Sequence, residues 1–326
     1  MSETGHESEQ VANRARLACI VVTYHPDMAM LARQIAALPP DSAIVLVDNA
    51  SGASIPDQLK ALTGDRKQTS VISNGENLGL AAAINLGASE VRKRWSDIEF
   101  LLLLDQDSVP QAGSVDLLLE QLRELSHASP PAACVGPNML DPETGLTHGF
   151  HRQTGWRWTR HYPESDTSTP IACSNLNGSG TLVRAELFLS LGGLDEDLFI
   201  DHVDTEWSFR VLHAGYGLYG IPNAVFAHHM GESTRRIWLF GWRAWPMRSP
   251  GRHYYLFRNA VRLMGRSYVP RVWKTWAVAK LMLTIVIHLL SDPERWTQLR
   301  EMSRGVRSGL SERSPGRNAD LNKGNR

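Results

Sequence analysis

Apolar residues come in uninterrupted blocks along the first hundred positions, and each block is cut off by a polar turn. Leu17-Ala18-Cys19-Ile20-Val21-Val22-Thr23-Tyr24 stops at His25-Pro26, and a helical pattern follows over Met28 to Leu38. Ala43 to Val47 ends at Asp48-Asn49-Ala50-Ser51-Gly52. Ser70 to Ser73 ends at Asn74-Gly75-Glu76-Asn77-Leu78-Gly79, after which Leu80 to Val91 reads as a helix. The fourth block, Phe100 and four leucines through Leu104, ends in Asp105-Gln106-Asp107-Ser108. Continuous apolar runs of this length are strands covered on both faces. Strand, turn and helix in repetition predict a βαβ series, hence an α/β fold with a mainly parallel sheet and right-handed crossovers. The polar strand ends then collect along one edge, where open sheets of this kind bind ligands.

Beyond Ser108 the pattern predicts a helix over Val115 to Leu125, a strand around Ala132 to Val135, and a turn-rich loop or excursion over 141–170. Asn177 to Val183 returns to strand and Ala185 to Leu191 to helix, closed by Gly192-Gly193. Residues 272–290 are almost wholly apolar, yet Lys274, Lys280, Thr284, His288 and Ser291 fall on one narrow stripe at helical spacing. Two lysines argue against a clean membrane span. The expectation is a helix lying in an interface or against a partner, or one buried in the protein's own C-terminal layer. Residues 1–16 and 311–326 are polar and read as disordered tails.

Composition sharpens this picture in one respect. Hydrophobic content of 42% and charged content of 21% are ordinary for a folded chain, and net charge is zero. The balance is uneven, however: residues 1–230 carry 15 Lys+Arg against 28 Asp+Glu, and 231–326 carry 19 against 6. Six of the ten tryptophans (Trp238, Trp242, Trp245, Trp273, Trp276, Trp296) also fall late. A basic, Trp-rich C-terminal region on an acidic body points to an anionic membrane surface, with packing onto that body as the alternative. No nucleic-acid motif is visible, so nucleic acid is not an expected partner. No apolar stretch precedes Leu17, which predicts no secretory leader and a cytoplasmic product. Cys19, Cys134 and Cys173 lie far apart and read as reduced, buried thiols.

Two acidic clusters carry the candidate chemistry. Asp105 and Asp107 at a strand end would repel each other unless a cation lay between them, and Mg²⁺ or Mn²⁺ takes such oxygen ligands. Alternatively, Asp105 caps the next segment and Asp107 opens a turn into Pro110. The second cluster is Asp201-His202-Val203-Asp204-Thr205-Glu206-Trp207. It offers a general base, or simply negative charge at a helix N-terminus.

Taken in order and spacing, Ile20-Val21-Val22-Thr23-Tyr24, Val47-Asp48-Asn49-Ala50-Ser51, Asn77-Leu78-Gly79 with Asn85, and Leu104-Asp105-Gln106-Asp107-Ser108 resemble the nucleotide-binding half of family 2 glycosyltransferases of the GT-A fold. Asp204-Thr205-Glu206-Trp207-Ser208-Phe209-Arg210 resembles that family's segment bearing the catalytic base. The Gln within Asp-Gln-Asp-Ser, Ile200 to Trp207, and Arg252-His253-Tyr254-Tyr255 with Phe257-Arg258-Asn259 are similar to its bacterial rhamnosyltransferase branch.

The resemblance implies a nucleotide-sugar site made of Thr23, Tyr24, Asp48, Asn49, Asn77, Gly79, Asn85, Asp105 and Gln106. Asp48 would accept the imide N–H of a pyrimidine, Gly79 would let the backbone approach the nucleotide, and Asn77 would contact its sugar, order the loop or cap the next helix. It implies a metal held by Asp107 with Asp105, and with His228 nearby, His229 being the competing histidine. Asp204 would be the catalytic base, supported by Glu206, with Asp201 as the competing candidate if it shares the helix face. Gly178, Ser179 and Trp207 would line the acceptor side. No Gln-x-x-Arg-Trp motif follows the base, which departs from the processive synthases and implies one sugar per encounter.

The implied activity is metal-dependent, inverting transfer of a sugar, L-rhamnose from dTDP-L-rhamnose, to a lipid-linked or surface-polysaccharide acceptor. The protein would work peripherally at the inner face of the cytoplasmic membrane, with oligomerisation possible through its C-terminal region. A sugar nucleotidyltransferase and a non-catalytic sugar-binding protein are the alternatives. The expected organisation is a catalytic domain over 17–235, divided at 110/111 into nucleotide and acceptor halves, followed by a helical region over 236–310.

Overall fold

In the computed structural model, the described residues are 16–311 apart from 65, 165–166, 229–233 and 239–241, and only the backbone is described over 234–238 and 242–244. The tails expected over 1–16 and 311–326, and His229, lie almost wholly outside these residues. Two compact units are present: residues up to 199 with 203–231, and 200–202 with 232 onward.

The first unit is built on one mixed, mainly parallel sheet. Its order is β3 (Thr69–Ser73), β2 (Ala43–Asp48), β1 (Leu17–Thr23), β4 (Phe100–Asp105), β10 (Leu182–Arg184), β6 (Ala132–Leu140), β11 (Gly217–His228) and β5 (Ser108–Pro110), with β9 (Ile171–Ala172) beside β11. Helices α1 (Met28–Ala37), α2 (Ile55–Leu62), α3 (Leu80–Arg94) and α4 (Ser114–Glu124) cover it. Every residue of β1 and β2 is buried, as continuous apolar runs require. Strand order reverses on either side of β1, so the switch point of the sheet lies between β1 and β4. Register then lines up the strand ends: Thr23 pairs with Asp48, Asp48 with Ser73, and Val22 with Asp105.

The sequence reading differs from this fold in three places. The 141–170 stretch, expected as a loop, contains a hairpin of β7 (Phe150–Thr154) and β8 (Arg157–His161). Its strands are mostly exposed, so no apolar alternation marks them. Asn177 to Gly180 is a turn rather than strand, and β10 starts only at Leu182. Helix α2 lies in a polar stretch where no helix was predicted. Helix α5 (Ala185–Ser190) ends at Gly192-Gly193 as predicted, and α6 (Val203–His213) carries Asp204 in its first turn. The three cysteines are free and buried, and burial pushes each thiol up to about 12.

The second unit contains a two-stranded ribbon, β12 (Thr234–Trp238) and β13 (Trp242–Pro246), and three helices, α7 (Pro250–Met264), α8 (Arg271–Ser291) and α9 (Arg295–Ser311). Helices α7 and α9 pack closely because Gly305 and Gly309 of α9 leave room for the α7 backbone. A Cβ at Gly305 would lie 2.4 Å from the Tyr254 carbonyl oxygen, and one at Gly309 2.7 Å from that of Arg258.

Candidate active site

The four parallel strand ends are tied together by side chains that the sequence reading assigned to ligand binding. Asp48 is buried, and its carboxylate accepts from Thr23 Oγ1 at 3.2 Å, from Ser51 N at 3.1 Å and from Ser51 Oγ. Rather than lying open to a base, it closes the turn after β2. Asn49, also buried, donates to Asn77 Oδ1 and accepts from Leu78 N and Asn74 Nδ2. Asn77 Oδ1 accepts a second bond from Gly79 N. Asn77 therefore orders the 74–79 loop and does not cap α3, whose N-cap position is Gly79 with no side-chain bond.

Gly79 itself serves a close approach within the protein. Leu80 N donates to Phe199 O at 2.7 Å, and a Cβ at Gly79 would lie 2.7 Å from that oxygen. Gln106 uses both ends of its amide on Tyr24, accepting from its N–H at 2.8 Å and donating to its carbonyl at 3.2 Å. This two-point clamp leaves Tyr24 47% exposed at the edge, its ring tilted against that of His25. Asn85 reaches across to Leu194, bonding its N–H and carbonyl, and to Glu196.

The Asp105–Ser108 turn is held from three directions. Gln34 of α1, fully buried, donates Nε2 to the carbonyls of both Asp105 and Ser108 at 2.6 Å. Ser179 Oγ accepts from Asp105 N at 2.9 Å and donates to Ser108 Oγ at 2.7 Å. Ser108 Oγ in turn lies 2.8 Å from His228 Nδ1, because β5 and β11 place these residues in register. His228 is thus brought to the aspartates from 120 positions away, and its Nδ1 lies 3.4 Å from Asp107 Oδ1. Burial disfavours charge on His228, but Asp107 and Asp105 outweigh it and raise its pKa above the ordinary value. His148, unremarked in the sequence, stands edge-on to His228 at 6.0 Å. Burial and the neighbouring His228 hold it down to about 4.

Asp107 Oδ1 is buried without a close hydrogen bond, with His228 Nδ1 standing 3.4 Å away. A carboxylate oxygen left in that state beside a second carboxylate fits a hard cation, which takes one or two protein carboxylates and completes its shell with phosphate and water. No group of three or more potential ligands of the His, Cys, Asp and Glu type is present among the described residues.

One turn links this edge to the second acidic cluster. While Ser179 holds Asp105, the adjacent Gly178 lies against Asp204, a Cβ at Gly178 falling 3.5 Å from the Asp204 Cβ. Asp204 is half-buried and accepts from Thr205 N at 2.7 Å. The other residues of the cluster have different tasks. Glu206 is buried in a two-point ion pair with Arg210, at 2.9 and 2.8 Å. Arg210 also donates to the carbonyls of Leu191 and Gly193, so the pair fastens α6 to the Gly192-Gly193 turn. Asp201 precedes α6 at φ 60°, off any helix face, and its carboxylate is paired with Arg248 and Arg252. Trp207, expected on the acceptor side, is instead core: it is buried against Phe188, with the Arg210 guanidinium 5.1 Å above its ring. Ser179 is likewise buried and engaged, and offers no acceptor contact.

Against this geometry, the family described as "Glycosyl transferase family 2" matches residues 20–192. The chain is also 30% identical over 261 residues to "dTDP-rhamnosyl transferase RfbF" of Shigella flexneri, covering 78% of this chain and 82% of that protein. The chain belongs to glycosyl transferase family 2. A second relative of this glycosyltransferase, "N-acetylglucosaminyl-diphospho-decaprenol L-rhamnosyltransferase" of Mycobacterium tuberculosis, is 27% identical over 249 residues, covering 68% of this chain and 78% of that one. Among solved structures, "GalNAc-T7 with UDP, GalNAc and Mn2+" superposes with a TM-score of 0.57 at 16% identity, over 91% of this chain and 56% of that chain. That likeness establishes the GT-A fold. Family membership sets aside the nucleotidyltransferase alternative for this glycosyltransferase.

Proposed function

We propose that this glycosyltransferase moves L-rhamnose from dTDP-L-rhamnose to a hydroxyl of a lipid-linked saccharide or surface polysaccharide, with inversion at the anomeric carbon. The donor and acceptor classes are those of the two rhamnosyltransferase relatives. The observation that carries the mechanism is the 178–179 turn, which touches the base candidate with one residue and the Asp105 strand end with the next.

The Tyr24 ring, exposed beside the Gln106 clamp, offers a face for the base of the nucleotide. Asp107, with His228 beside it, and Asp105 at the same strand end would face the diphosphate, and Asp107 and Asp105 would hold Mg²⁺ or Mn²⁺ there. Bound at that point, the ion supplies charge neutralisation to the leaving diphosphate. Asp204 removes the proton of the acceptor hydroxyl as its oxygen forms the new bond to the anomeric carbon. The bond from that carbon to the diphosphate oxygen breaks on the opposite face and dTDP departs. A single carboxylate suffices, since no covalent sugar intermediate is formed. Glu206 and Arg210 do not touch the substrates; they hold the first turn of α6 in place.

The test is to incubate the purified protein with Mg²⁺ or Mn²⁺ and a panel of nucleotide sugars, and to measure nucleotide diphosphate release with and without lipid-linked saccharide. Release confined to dTDP-L-rhamnose, lost in Asp107→Ala, is the expected result. Turnover of UDP- or GDP-sugars in preference would overturn the donor assignment.

A further inference from the structure

Helix α8 buries part of its polar stripe together with Trp273, Ala277 and Ile287, while Lys280 of that stripe stays exposed. Of the polar stripe noted in its sequence, Thr284 and His288 are buried. His288 Nδ1 lies 2.7 Å from Asp292 Oδ2, which accepts from Gln298 Nε2 at 3.1 Å, and Gln298 Oε1 meets His253 Nδ1 at 2.6 Å. This buried polar network joins α7, α8 and α9. The opposite face carries Val278, Met282, Val286 and Leu290, four residues apart and 49%, 58%, 48% and 79% exposed. Five of the 21 residues of this helix are buried. A continuous apolar ridge over three turns, roughly 18 Å long, is thus turned outward.

We propose that this ridge seats the protein in the plane of an anionic lipid bilayer. Charge selects the occupant. Residues 250–311 carry eleven Lys and Arg against three Asp and Glu, a net of +8. A second copy pairing along the ridge would bring two such surfaces together, whereas acidic headgroups neutralise them. Arg271 is exposed at the N-terminal end of the ridge helix. Trp296 is 73% exposed at the start of α9, and Lys280 Nζ lies 4.8 Å from the centre of the Trp276 ring. Tryptophan and basic side chains are the groups that settle at the headgroup level.

The same network sets the depth. Helix α8 is bonded through His288, Asp292 and Gln298 to α9, which exposes Arg300, Arg304 and Arg307. Drawing α8 across the bilayer would take those cations with it, so the helix lies in the interface with only its outer face among the acyl chains. The inference rests on α8 and its surroundings and does not depend on which sugar is transferred.

Flotation of the full chain with vesicles checks it, using phosphatidylcholine alone and phosphatidylcholine mixed with phosphatidylglycerol. Binding is expected only to the mixed vesicles. It should weaken as salt rises from about 0.1 to about 1 M, which shortens the screening length from about 10 to about 3 Å. The double variant Met282→Glu, Val286→Glu should lower the partition coefficient by at least about tenfold. Its circular dichroism and its release of dTDP from donor in solution should be unchanged, so a failure here is separable from a failure of the donor assignment. The milder pair Met282→Ser, Val286→Ser should give an intermediate loss. Equal binding to both vesicle types, binding unaffected by either variant, extraction only by detergent, or a dimer in sedimentation that the Glu variant dissociates would each overturn the proposal.

Discussion

Replacing Gly79 by alanine tests how the donor half is joined to the base-bearing half. Gly79 has φ 84° and ψ 166°, a region that essentially only glycine occupies, and a side chain there costs on the order of 1–3 kcal/mol. The new Cβ would also lie 2.6 Å from Phe199 Cδ2, 2.7 Å from Phe199 O and 2.8 Å from Phe199 Cα. Two of these are backbone atoms fixed by the bond from Leu80 N, so rotation of the Phe199 ring relieves only the first. Overpacking of this kind adds roughly 1–3 kcal/mol. The sum, about 4 kcal/mol, is a large share of the roughly 5–15 kcal/mol that holds a typical domain.

The assay is urea unfolding followed by far-ultraviolet circular dichroism, with Gly75→Ala as control, since nothing lies within 4 Å of a Cβ there. Gly79→Ala should shift the midpoint strongly and Gly75→Ala hardly at all. Any folded Gly79→Ala protein should also lose turnover, because displacement of Phe199 moves the chain leading into α6 and Asp204. A loss below about 1 kcal/mol with full activity would refute the reasoning.

Asp204→Asn should reduce kcat by about 10²- to 10⁴-fold with donor KM and circular dichroism unchanged; undiminished turnover would instead favour a non-catalytic sugar-binding protein. Glu206→Ala should destabilise the first unit by about 1–3 kcal/mol, read as a lower unfolding midpoint, because the largely buried Arg210 loses its carboxylate and keeps only the Leu191 and Gly193 carbonyls. Stability of the helical unit should fall as pH drops. Burial, offset in part by the bond to Gln298, holds His253 near 4 against an ordinary 6.5, so between these values the unfolded chain binds a proton that the folded one does not. His253 therefore stabilises fully above about pH 6.5 and progressively less toward pH 4, by on the order of 3 kcal/mol in all. His253→Leu should flatten that slope in thermal melts taken across this range.

The sequence by itself determined the sheet. Runs such as Leu17–Val22 and Leu101–Leu104 have no polar face, so they can only be strands covered on both sides, and a parallel βαβ series must bring their C-terminal ends to one edge. That sufficed to collect Thr23, Asp48, Asp105 and Asp107, and the spacing of the motifs was enough to indicate the family. What each polar side chain does there was settled only by partners far along the chain. Nothing near Gln106 announces that its amide clamps Tyr24, 82 positions away, or near Gln34 that it holds the carbonyls of Asp105 and Ser108. In sequence Asp201 competes with Asp204 for the role of base. Tertiary structure separates them, because Arg248 and Arg252 claim the first while α6 sets the second against Gly178. The same holds for α8, whose periodicity defines an apolar and a polar face without saying which looks outward. Thr284 bonds within its own helix, to the Lys280 carbonyl, but His288 is held by Asp292, which Gln298 of α9 and, through it, His253 of α7 hold in place, so the packing of the three helices decides which part of the stripe is buried.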